Sequence, residues 1–496
     1  MSTFPHPLYS QHVLQPAYRD AQTYLFESML AAHEAHTVML VECGIIEQEN
    51  ARALFQAVAQ IRDEGVDALA YQPGVEDLFF RTEARIIELA GPDYGGNLQL
   101  ARSRNDLGQA LARLAFRQQI LELYGDLLAL RQAILSQARA HLRTIMPGYT
   151  HTQPAQPVTF AHYLAGALTF LAKDQARLAA AYANVNESPL GAAAFTGTGF
   201  PIDRGRLADL LGFDRVIAST HHSIGAGDHL TDIAFAVQSL ATGLSRVTKD
   251  LLFLATQEAN ALRIDDSFIQ ISSIMPQKRN PVVLEHLRAR LSRTLGAAQT
   301  VVLQCHNIPY GDTQDIEDEI IPPLVEALDT ARACVMLYTA FFETVKLNEE
   351  HLRQRAGEGF TTATELADTL VRETGLPFRL AHKVVAQMVQ SAVRQGVPSS
   401  GLTIAILREA AQTVLGTPLD VSDEQLARAL DAQGFIHIRS GLGGVAPAAT
   451  GALIDQLQSA LHSDHEWLTA TQTRLHQANT LRSEATQLLQ QSALSP

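Results

Sequence analysis

The segment from Asp228 to Glu258 constrains the fold most, because apolar residues recur along it at alternating steps of three and four. These residues are Leu230, Ile233, Val237, Leu240, Leu244, Val247, Leu251 and Leu254. The spacing lines them along one side of an α-helix as a heptad seam roughly 36 Å long, at about 1.5 Å per residue. Such a seam needs a long partner helix, for which residues 283–305 and 325–345 are the candidates. We therefore predict an elongated bundle whose remaining faces are covered by other subunits.

The patterns on either side of the bundle differ from it. Residues 1 to about 110 have the pattern of helices with breaks, including a glycine-containing loop at 91–97 and a helix starting at Leu107. A long helix is predicted from 111 to about 147, where Pro147-Gly148 ends it. After residue 358 the predicted helices become shorter. The sequence thus predicts a mostly α protein with an N-terminal helical domain (1–110), a central long-helix bundle (111–358) and a C-terminal helical domain (359–496).

Charge and cysteine content exclude several classes of function. The net charge is −14, from 38 basic and 52 acidic residues, which argues against nonspecific binding to nucleic acid or to an anionic membrane. It does not argue against an anionic substrate, because a binding site is local. Three cysteines are too few and too scattered for a disulfide framework or a zinc site. Without a membrane span or a signal peptide in the sequence, a cytoplasmic location is predicted.

A polar loop interrupts the apolar pattern between two long helical segments. It reads Ile-Ser-Ser-Ile-Met-Pro-Gln-Lys-Arg-Asn-Pro over residues 271–281. Pro276 and Pro281 prevent a continuous helix and favour extended backbone before them. By composition this is either a polar connection between helices or a loop that carries catalytic groups.

Two further segments combine groups able to bind a carboxylate. Ala-Arg-Ser-Arg-Asn-Asp at 101–106 precedes a predicted helix, where a guanidinium, a hydroxyl, an amide and unpaired backbone N–H groups form a plausible carboxylate cradle. The alternative is a capped helix with solvated arginines. Thr-His-Thr-Gln at 150–153 places a single histidine in a predicted loop, where an isolated histidine is usually only a surface residue.

Together these strings resemble the argininosuccinate lyase branch of the fumarase/aspartase superfamily. Residues 272–281 match its loop Ser-Ser-x-Met-Pro-Gln-Lys-x-Asn-Pro, 102–106 match Arg-Ser-Arg-Asn-Asp, and 150–157 match Thr-His-x-Gln-x-Ala-Gln-Pro. Residues 362–368 resemble its C-terminal Thr-Ala-Thr-x-Leu-Ala-Asp. The motifs occur in the family's order and the resemblance spans about residues 15–460. Ile271 and Ala101 stand where the motifs have glycine.

The resemblance implies a carbon–nitrogen lyase that eliminates an amine from an N-substituted aspartate and releases fumarate, reversibly by addition of an amine to fumarate. Such a reaction needs a base, an acid and groups that hold the carboxylates, but no metal or redox cofactor. By resemblance Ser272 removes the proton, with Ser273 as the reserve candidate. Lys278 stabilises the charge that develops, His151 protonates the departing nitrogen, and Glu285 orients His151.

The remaining implied site residues bind a small-molecule substrate, namely a succinylated amine or fumarate. They are Ser103, Arg104, Asn105, Thr150, Gln153, Asn280, Tyr310, Asp315 and Asp318. In the family the three conserved motifs come from different subunits of a homotetramer, so self-association is implied as well.

The residues expected to bind the leaving amine depart from the family pattern. Tyr310 is present, but Asp315 and Asp318 stand where the family has Gln and Lys, and His33 aligns with a serine that touches the same part of the substrate. The stretch 220–228 also differs, reading Thr-His-His-Ser-Ile-Gly-Ala-Gly-Asp. Besides argininosuccinate, a diamine or polyamine succinate such as ethylenediamine disuccinate is therefore an expected substrate.

The sequence also leaves two other functions open. One is a sibling reaction of the superfamily, such as that of fumarase, aspartase or carboxymuconate cycloisomerase. The other is a catalytically idle, crystallin-like homologue.

Overall fold

The computed structural model describes residues 4–491, and most of them are helical. The N-terminal region begins with two short turns of helix, the second a π-helix at Ser10–Leu14, and 3-10 turns follow at Val66–Leu69 and Gly96–Gln99. Its α-helices are α1 (Pro7–Tyr9), α2 (Gln15–Tyr24), α3 (Phe26–Glu42), α4 (Gln48–Glu64), α5 (Leu78–Ala90) and α6 (Pro92–Gly95).

The central region contains the longest helices of the bundle and several short strands. Its helices are α7 (Arg104–Ala140), α8 (Phe160–Val185), α9 (Arg204–Leu211), α10 (Thr220–Gly225), α11 (Asp228–Leu254), α12 (Val282–Cys305), α13 (Gln314–Glu317), α14 (Ile321–Thr344) and α15 (Glu349–Ala356). Strands β1 (Ile145–Thr150) and β2 (Gln153–Thr159) form an antiparallel hairpin, and the other pairs are β3 (Glu187–Ser188) with β4 (Arg215–Val216), β5 (Leu262–Arg263) with β8 (Lys346–Leu347), and β6 (Gln270–Ile271) with β7 (Arg279–Asn280).

The C-terminal region contains five shorter helices and one very long helix. They are α16 (Ala363–Thr374), α17 (Phe378–Gln395), α18 (Ile404–Leu415), α19 (Asp423–Leu430), α20 (Ala432–His437) and α21 (Pro447–Gln491). Helices α16 to α19 enclose a small hydrophobic core of their own. Within residues 4–491, no helix is long and apolar enough to cross a membrane.

The predicted heptad seam forms the inner face of α11. All eight of its apolar residues are buried, and they belong to the largest hydrophobic core. Helix α12 packs along α11 as predicted, and α14 packs on α12. Helix α8, which the sequence did not single out, covers another part of α11. The seam therefore organises a bundle of α7, α8, α11, α12 and α14.

Contacts near the helix termini fix the directions of α7, α8 and α14. The Gln137 side chain, near the end of α7, donates a 2.7 Å hydrogen bond to the carbonyl of Phe342, near the end of α14. These two helices are therefore parallel. Arg113, near the start of α7, donates a 2.7 Å hydrogen bond to the carbonyl of Asn184, near the end of α8. Helix α8 is therefore antiparallel to α7.

Similar contacts fix α11 and α12. The Arg113 guanidinium lies 3.2 Å from Nδ1 of His229, so α11 starts beside the start of α7. The Sγ of Cys305, at the end of α12, lies 3.8 Å from the carbonyl oxygen of Gly227, so α12 is antiparallel to α11. The starts of α7, α11 and α14 thus share one end of the bundle with the ends of α8 and α12. We call this the first end, and the opposite one the second end.

Three local predictions were wrong. Residues 91–97, predicted to be a loop, contain α6 and the start of a 3-10 turn. Helix α7 starts at Arg104 rather than Leu107, because Ser103 forms a capping box with Asp106 and caps the helix earlier. The same helix ends at Ala140 rather than at Pro147, which lies within β1. An edge strand tolerates that proline since it has no second neighbour to bond.

The last helix differs most from the expected short helices. Helix α21 has 45 residues and leaves the C-terminal core to pack along α7 and α8. Trp467 packs against the rings of Tyr124 and Tyr182, with centroid distances of 4.6 and 5.4 Å, and Asp464 forms a 2.5 Å ion pair with the buried Arg131. The division of the chain into three domains at 110 and 358 stays a prediction.

Candidate active site

The Arg-Ser-Arg-Asn-Asp segment lies at the first end of the bundle. Ser103 is the N-cap of α7, and its hydroxyl accepts a 3.3 Å hydrogen bond from the backbone N–H of Asn105. Asp106, in the first turn, accepts hydrogen bonds from the backbone N–H groups of Gly191 and Ala193 at 2.9 and 3.1 Å. This carboxylate therefore fixes the glycine-rich connection after α8 against the start of α7.

Arg104 is the charged centre of a pocket at this end. Its guanidinium forms ion pairs with Asp77 at 2.9 Å and with Glu76 at 3.2 Å. Glu317 and Asp318, from the segment before α14, line the same pocket beside apolar side chains of α3, α5 and α7. Several carboxyl groups thus share one guanidinium.

The carboxyl groups of this pocket are hard to ionise. Burial, reinforced by the nearby Asp77 charge, raises the pKa of Asp318 to about 6. Burial and the neighbouring Asp312 raise the pKa of Glu317 above its usual range. Burial also raises the pKa of Asp77, despite the hydrogen bond from Phe80 and the charge of Arg104. A cation entering the pocket would restore the ionised forms.

Tyr310 and Asp315 also lie at the first end, on the segment that joins α12 to α14. Asp315 belongs to α13, and both residues are exposed. Tyr310 is not isolated there. Its hydroxyl lies 2.7 Å from Nδ1 of His222, and its carbonyl oxygen lies 2.9 Å from Nε2 of His221. The altered stretch 220–228 is therefore in direct contact with a predicted substrate-binding residue.

The histidine motif forms the tip of the β1–β2 hairpin at the second end. Thr150 pairs with Gln153, and His151 and Thr152 between them have φ values of 52° and 61°. The hairpin is anchored by Tyr149, whose ring packs edge-on against Phe253 near the end of α11, with a centroid distance of 5.2 Å. The hairpin thus presents the exposed side chain of His151 from a left-handed turn.

The serine loop lies at the second end as well, just before α12. It projects from the short β6–β7 ladder, in which Gln270 pairs with Asn280. The Ser272 hydroxyl oxygen accepts hydrogen bonds from the backbone N–H groups of Met275 at 3.1 Å and Ile274 at 3.4 Å. Backbone donors aimed at this oxygen stabilise a developing negative charge on it.

Other residues of the loop and of the following helix are open to solvent. Lys278 and Glu285 are exposed, the latter in the first turn of α12. The apolar side chains of Ile271 and Ile274 are 77% and 83% exposed. Large apolar side chains at such exposure indicate a surface that becomes covered by a ligand or a neighbouring subunit.

The predicted site residues thus form two groups separated by the bundle. Helix α12 has 24 residues, which places the serine loop about 36 Å from the loop of Tyr310. Helix α7 has 37 residues, which places Arg104 about 55 Å from the hairpin of His151. Within residues 4–491, no hydrogen bond joins His151 to Ser272 or to Glu285.

The two replaced glycines have different surroundings. Ala101 has φ 59°, the left-handed region in which glycine is usual, so its methyl group carries a steric cost there. Ile271 has ordinary extended backbone in β6.

Sequence reasoning missed the partners of several site residues. Asp77 and Glu76, which form ion pairs with Arg104, had not been assigned to the site. The signal for His221 and His222 was present as a departure from the family motif, but its contact with Tyr310 spans 88 residues of sequence.

Comparisons with known protein families identify the family of this chain. A lyase family model matches residues 9–296, and an argininosuccinate lyase C-terminal model matches residues 360–437. The argininosuccinate lyase of Methanosarcina barkeri is 35% identical over 450 residues, 90% of each chain. That of Methanoculleus marisnigri is 36% identical over 456 residues, 92% of each chain. The chain belongs to the argininosuccinate lyase family.

Solved structures extend the comparison to the fold. EDDS lyase in complex with formate has a TM-score of 0.88 and 31% identity, over 99% of this chain and 97% of that one. A variant of EDDS lyase with bound fumarate gives the same score and identity, over 97% and 96%. A class II fumarase from Schistosoma mansoni, at 16% identity and a TM-score of 0.69, shares the fold alone.

Membership of the argininosuccinate lyase family confirms three predictions. They are the family branch, the mostly α superfamily fold, and a carbon–nitrogen lyase that releases fumarate. The assignments of individual site residues stay predictions.

Proposed function

We propose that this lyase eliminates an amine from an N-succinyl amine and releases fumarate, with the chemistry divided between the two ends of the bundle. Ser272 is the proton-abstracting base, because two backbone N–H groups point at its oxygen. Within the described part of the chain, the Ser273 hydroxyl makes no hydrogen bond, which favours Ser272 of the two. Lys278 and Asn280 bind the carboxylate that gathers charge, and the nitrogen leaves with a proton from His151.

The first end binds the rest of the substrate. Ser103, Arg104 and Asn105 hold the succinyl part at the start of α7, where a helix N-terminus favours an anion. This requires Arg104 to exchange one of its carboxylate partners for the substrate. The leaving amine is faced by Tyr310, Asp315 and Asp318. Beside His151, the substrate is bound by Thr150 and Gln153.

A complete site then requires more than one subunit. About 36 Å of α12 separate Ser272 from Tyr310, which is too far for one small substrate to bridge. A homotetramer that packs bundle faces together would bring unlike ends into contact. Large apolar side chains exposed on α11, α12 and α14 support such packing, namely Phe235, Phe253, Leu295, Leu303 and Met336. The cytoplasmic location stays a prediction.

Fumarate release, followed by ultraviolet absorbance with argininosuccinate as substrate, tests the assignment. Ser272→Ala is expected to lower kcat by at least about 10²-fold, the usual contribution of a positioned base. Mixing inactive Ser272→Ala with inactive Arg104→Gln should restore part of the activity, because some sites in mixed tetramers receive both intact residues. Full activity of Ser272→Ala would refute the role of this residue, and absence of complementation would refute the shared site.

Argininosuccinate is the first candidate substrate, since it is the substrate named for the family. The excess of carboxyl groups around Arg104 favours a second candidate, the succinate adduct of a diamine, whose ammonium group would pair with Asp318. Fumarate release from ethylenediamine disuccinate tests it directly. The double variant Asp315→Gln, Asp318→Lys should shift turnover towards argininosuccinate. If argininosuccinate turnover does not improve, the two aspartates do not determine the amine.

A further inference from the structure

Two adjacent histidines of α10 hold Tyr310 in place. The carbonyl oxygen of Tyr310 can only accept a hydrogen bond, so His221 donates to it from Nε2 over 2.9 Å. His222 contacts the hydroxyl of the same residue through Nδ1 at 2.7 Å. The Tyr310 side chain is 59% exposed, so these contacts fix its position without burying it.

Close packing of the backbone supports this arrangement. A Cβ atom added to Gly225, at the end of α10, would lie 3.0 Å from the backbone nitrogen of Gly311 and 3.2 Å from Cδ2 of Tyr310. Ordinary side chains do not approach so closely without displacing their neighbour. The loop after α12 therefore rests directly on α10, and a side chain at position 225 would move Tyr310.

The position of Asp228 determines which atom of His222 carries the proton. Oδ2 of Asp228 lies 3.7 Å from Nε2 of His222, on the opposite side of the ring from Tyr310. Hydrogen bonding by the adjacent His229 holds the pKa of Asp228 below its usual range, so this carboxylate is ionised at neutral pH. A carboxylate beside Nε2 favours the tautomer with the hydrogen on Nε2, which leaves Nδ1 as an acceptor.

The Tyr310 hydroxyl then donates its hydrogen bond to Nδ1 of His222. Only the lone pairs of the phenolic oxygen remain for a ligand, and these accept an N–H group but repel a carboxylate. We propose that His222, oriented by Asp228, makes Tyr310 an obligate hydrogen-bond acceptor, so that the site selects leaving amines that end in a further N–H donor over those that end in a carboxylate. This rests on the proposed function, in which Tyr310 faces the leaving amine.

Ethylenediamine and glycine test the proposal, because they are similar in size and differ in ending with an ammonium group or a carboxylate. Their addition to fumarate is followed by the loss of ultraviolet absorbance, and kcat/KM is compared for the two amines. We expect the wild type to prefer ethylenediamine. His222→Leu should lower the preference about tenfold, the usual value of one hydrogen bond, mainly through KM for the amine. His222→Asn retains an oxygen near the position of Nδ1 and should restore much of the preference.

Three further variants separate the specific role of His222 from a merely structural one. In a Tyr310→Phe background, His222→Leu should cause no additional loss of preference, because the hydroxyl that it orients is missing. Gly225→Ala keeps both side chains but displaces Tyr310, and should also reduce the preference. His462→Leu, an exposed histidine on α21, is the matched control and should leave the preference unchanged.

The outcomes distinguish this inference from the proposed function. An unchanged preference in His222→Leu, with activity still dependent on Ser272, would refute the role of His222 alone. A wild type that prefers glycine would refute it as well. No Ser272-dependent reaction with either amine or with argininosuccinate would refute the proposed function, and the inference with it.

Discussion

Replacing the buried His33 by leucine should stabilise the protein, and more so in acid. The side chain is 0% exposed, and neither ring nitrogen has a hydrogen-bond partner. Burial, together with the charge of Arg102, holds the pKa of His33 well below 6.5, so the ring is neutral in the folded protein. Leucine fills a similar volume without polar atoms, so the change removes unpaired groups that cost about 1–3 kcal/mol.

The pH dependence follows from linkage. A histidine whose pKa is depressed by folding contributes stability above its unfolded pKa, and this is lost as the pH falls through 6.5, because only the unfolded chain takes up the proton. Between pH 7 and pH 5, proton uptake by one such histidine stabilises the unfolded state by about 2 kcal/mol relative to the folded state. His33→Leu should abolish that loss. For a chain of 496 residues unfolding as one unit, 2 kcal/mol corresponds to about 2 °C in Tm.

Thermal melts at pH 7 and pH 5, followed by circular dichroism, measure the effect. The drop in Tm between the two pH values should be about 2 °C smaller in His33→Leu than in the wild type. His462→Leu, in which the replaced ring is exposed, should follow the wild type. An equal drop in all three proteins, or a lower Tm of His33→Leu at pH 7, would refute the reasoning. Loss of fumarate release with an intact Tm would instead return His33 to the substrate site suggested by its alignment.

Three further predictions concern the site and its assembly. Raising the pH from 5 to 7 should lower KM for ethylenediamine, because Asp318, whose pKa is raised to about 6, ionises over this range, and Asp318→Asn should flatten the profile. Thr152→Gly should relieve the backbone strain of a β-branched residue at φ 61° and stabilise the protein by about 1 kcal/mol in thermal melts. Its kcat should fall, because the neighbouring His151 is held less firmly. Leu295→Glu should yield smaller, inactive species in size-exclusion chromatography with light scattering, because it places a charge on a proposed subunit interface.

The bundle could be predicted from sequence because its information is local. The eight apolar residues of the seam are buried because alternate steps of three and four place them on one side of α11, whatever its neighbours are. Helix α21 gives no such signal. Its 45 residues include few buried apolar anchors, such as Ile454 and Leu461, and its position depends on distant partners, among them Arg131.

The site was harder to predict where its contacts are distant in sequence. The motif residues could be identified by resemblance, whereas the capping role of Ser103 was missed although its signal is local. The pairing of Arg104 with Asp77, 27 residues away, and the contact of His222 with Tyr310 depend on how helices meet at the first end. Short-range sequence patterns contain no information about contacts between helices that are distant in sequence.

The length of the bundle explains why the departures from the family pattern are concentrated at one end. His222, Asp315 and Asp318 depart from the pattern at the first end, and His33 does so near it. At the second end, Ile271 is the departure next to Ser272. Because about 36 Å of α12 separate the two loops within a subunit, substitutions at the first end are distant from the Ser272 loop of the same subunit. In the proposed assembly of opposite ends from different subunits, the residues that contact the amine can therefore be replaced while the loop of the proposed base, Ser272, is kept.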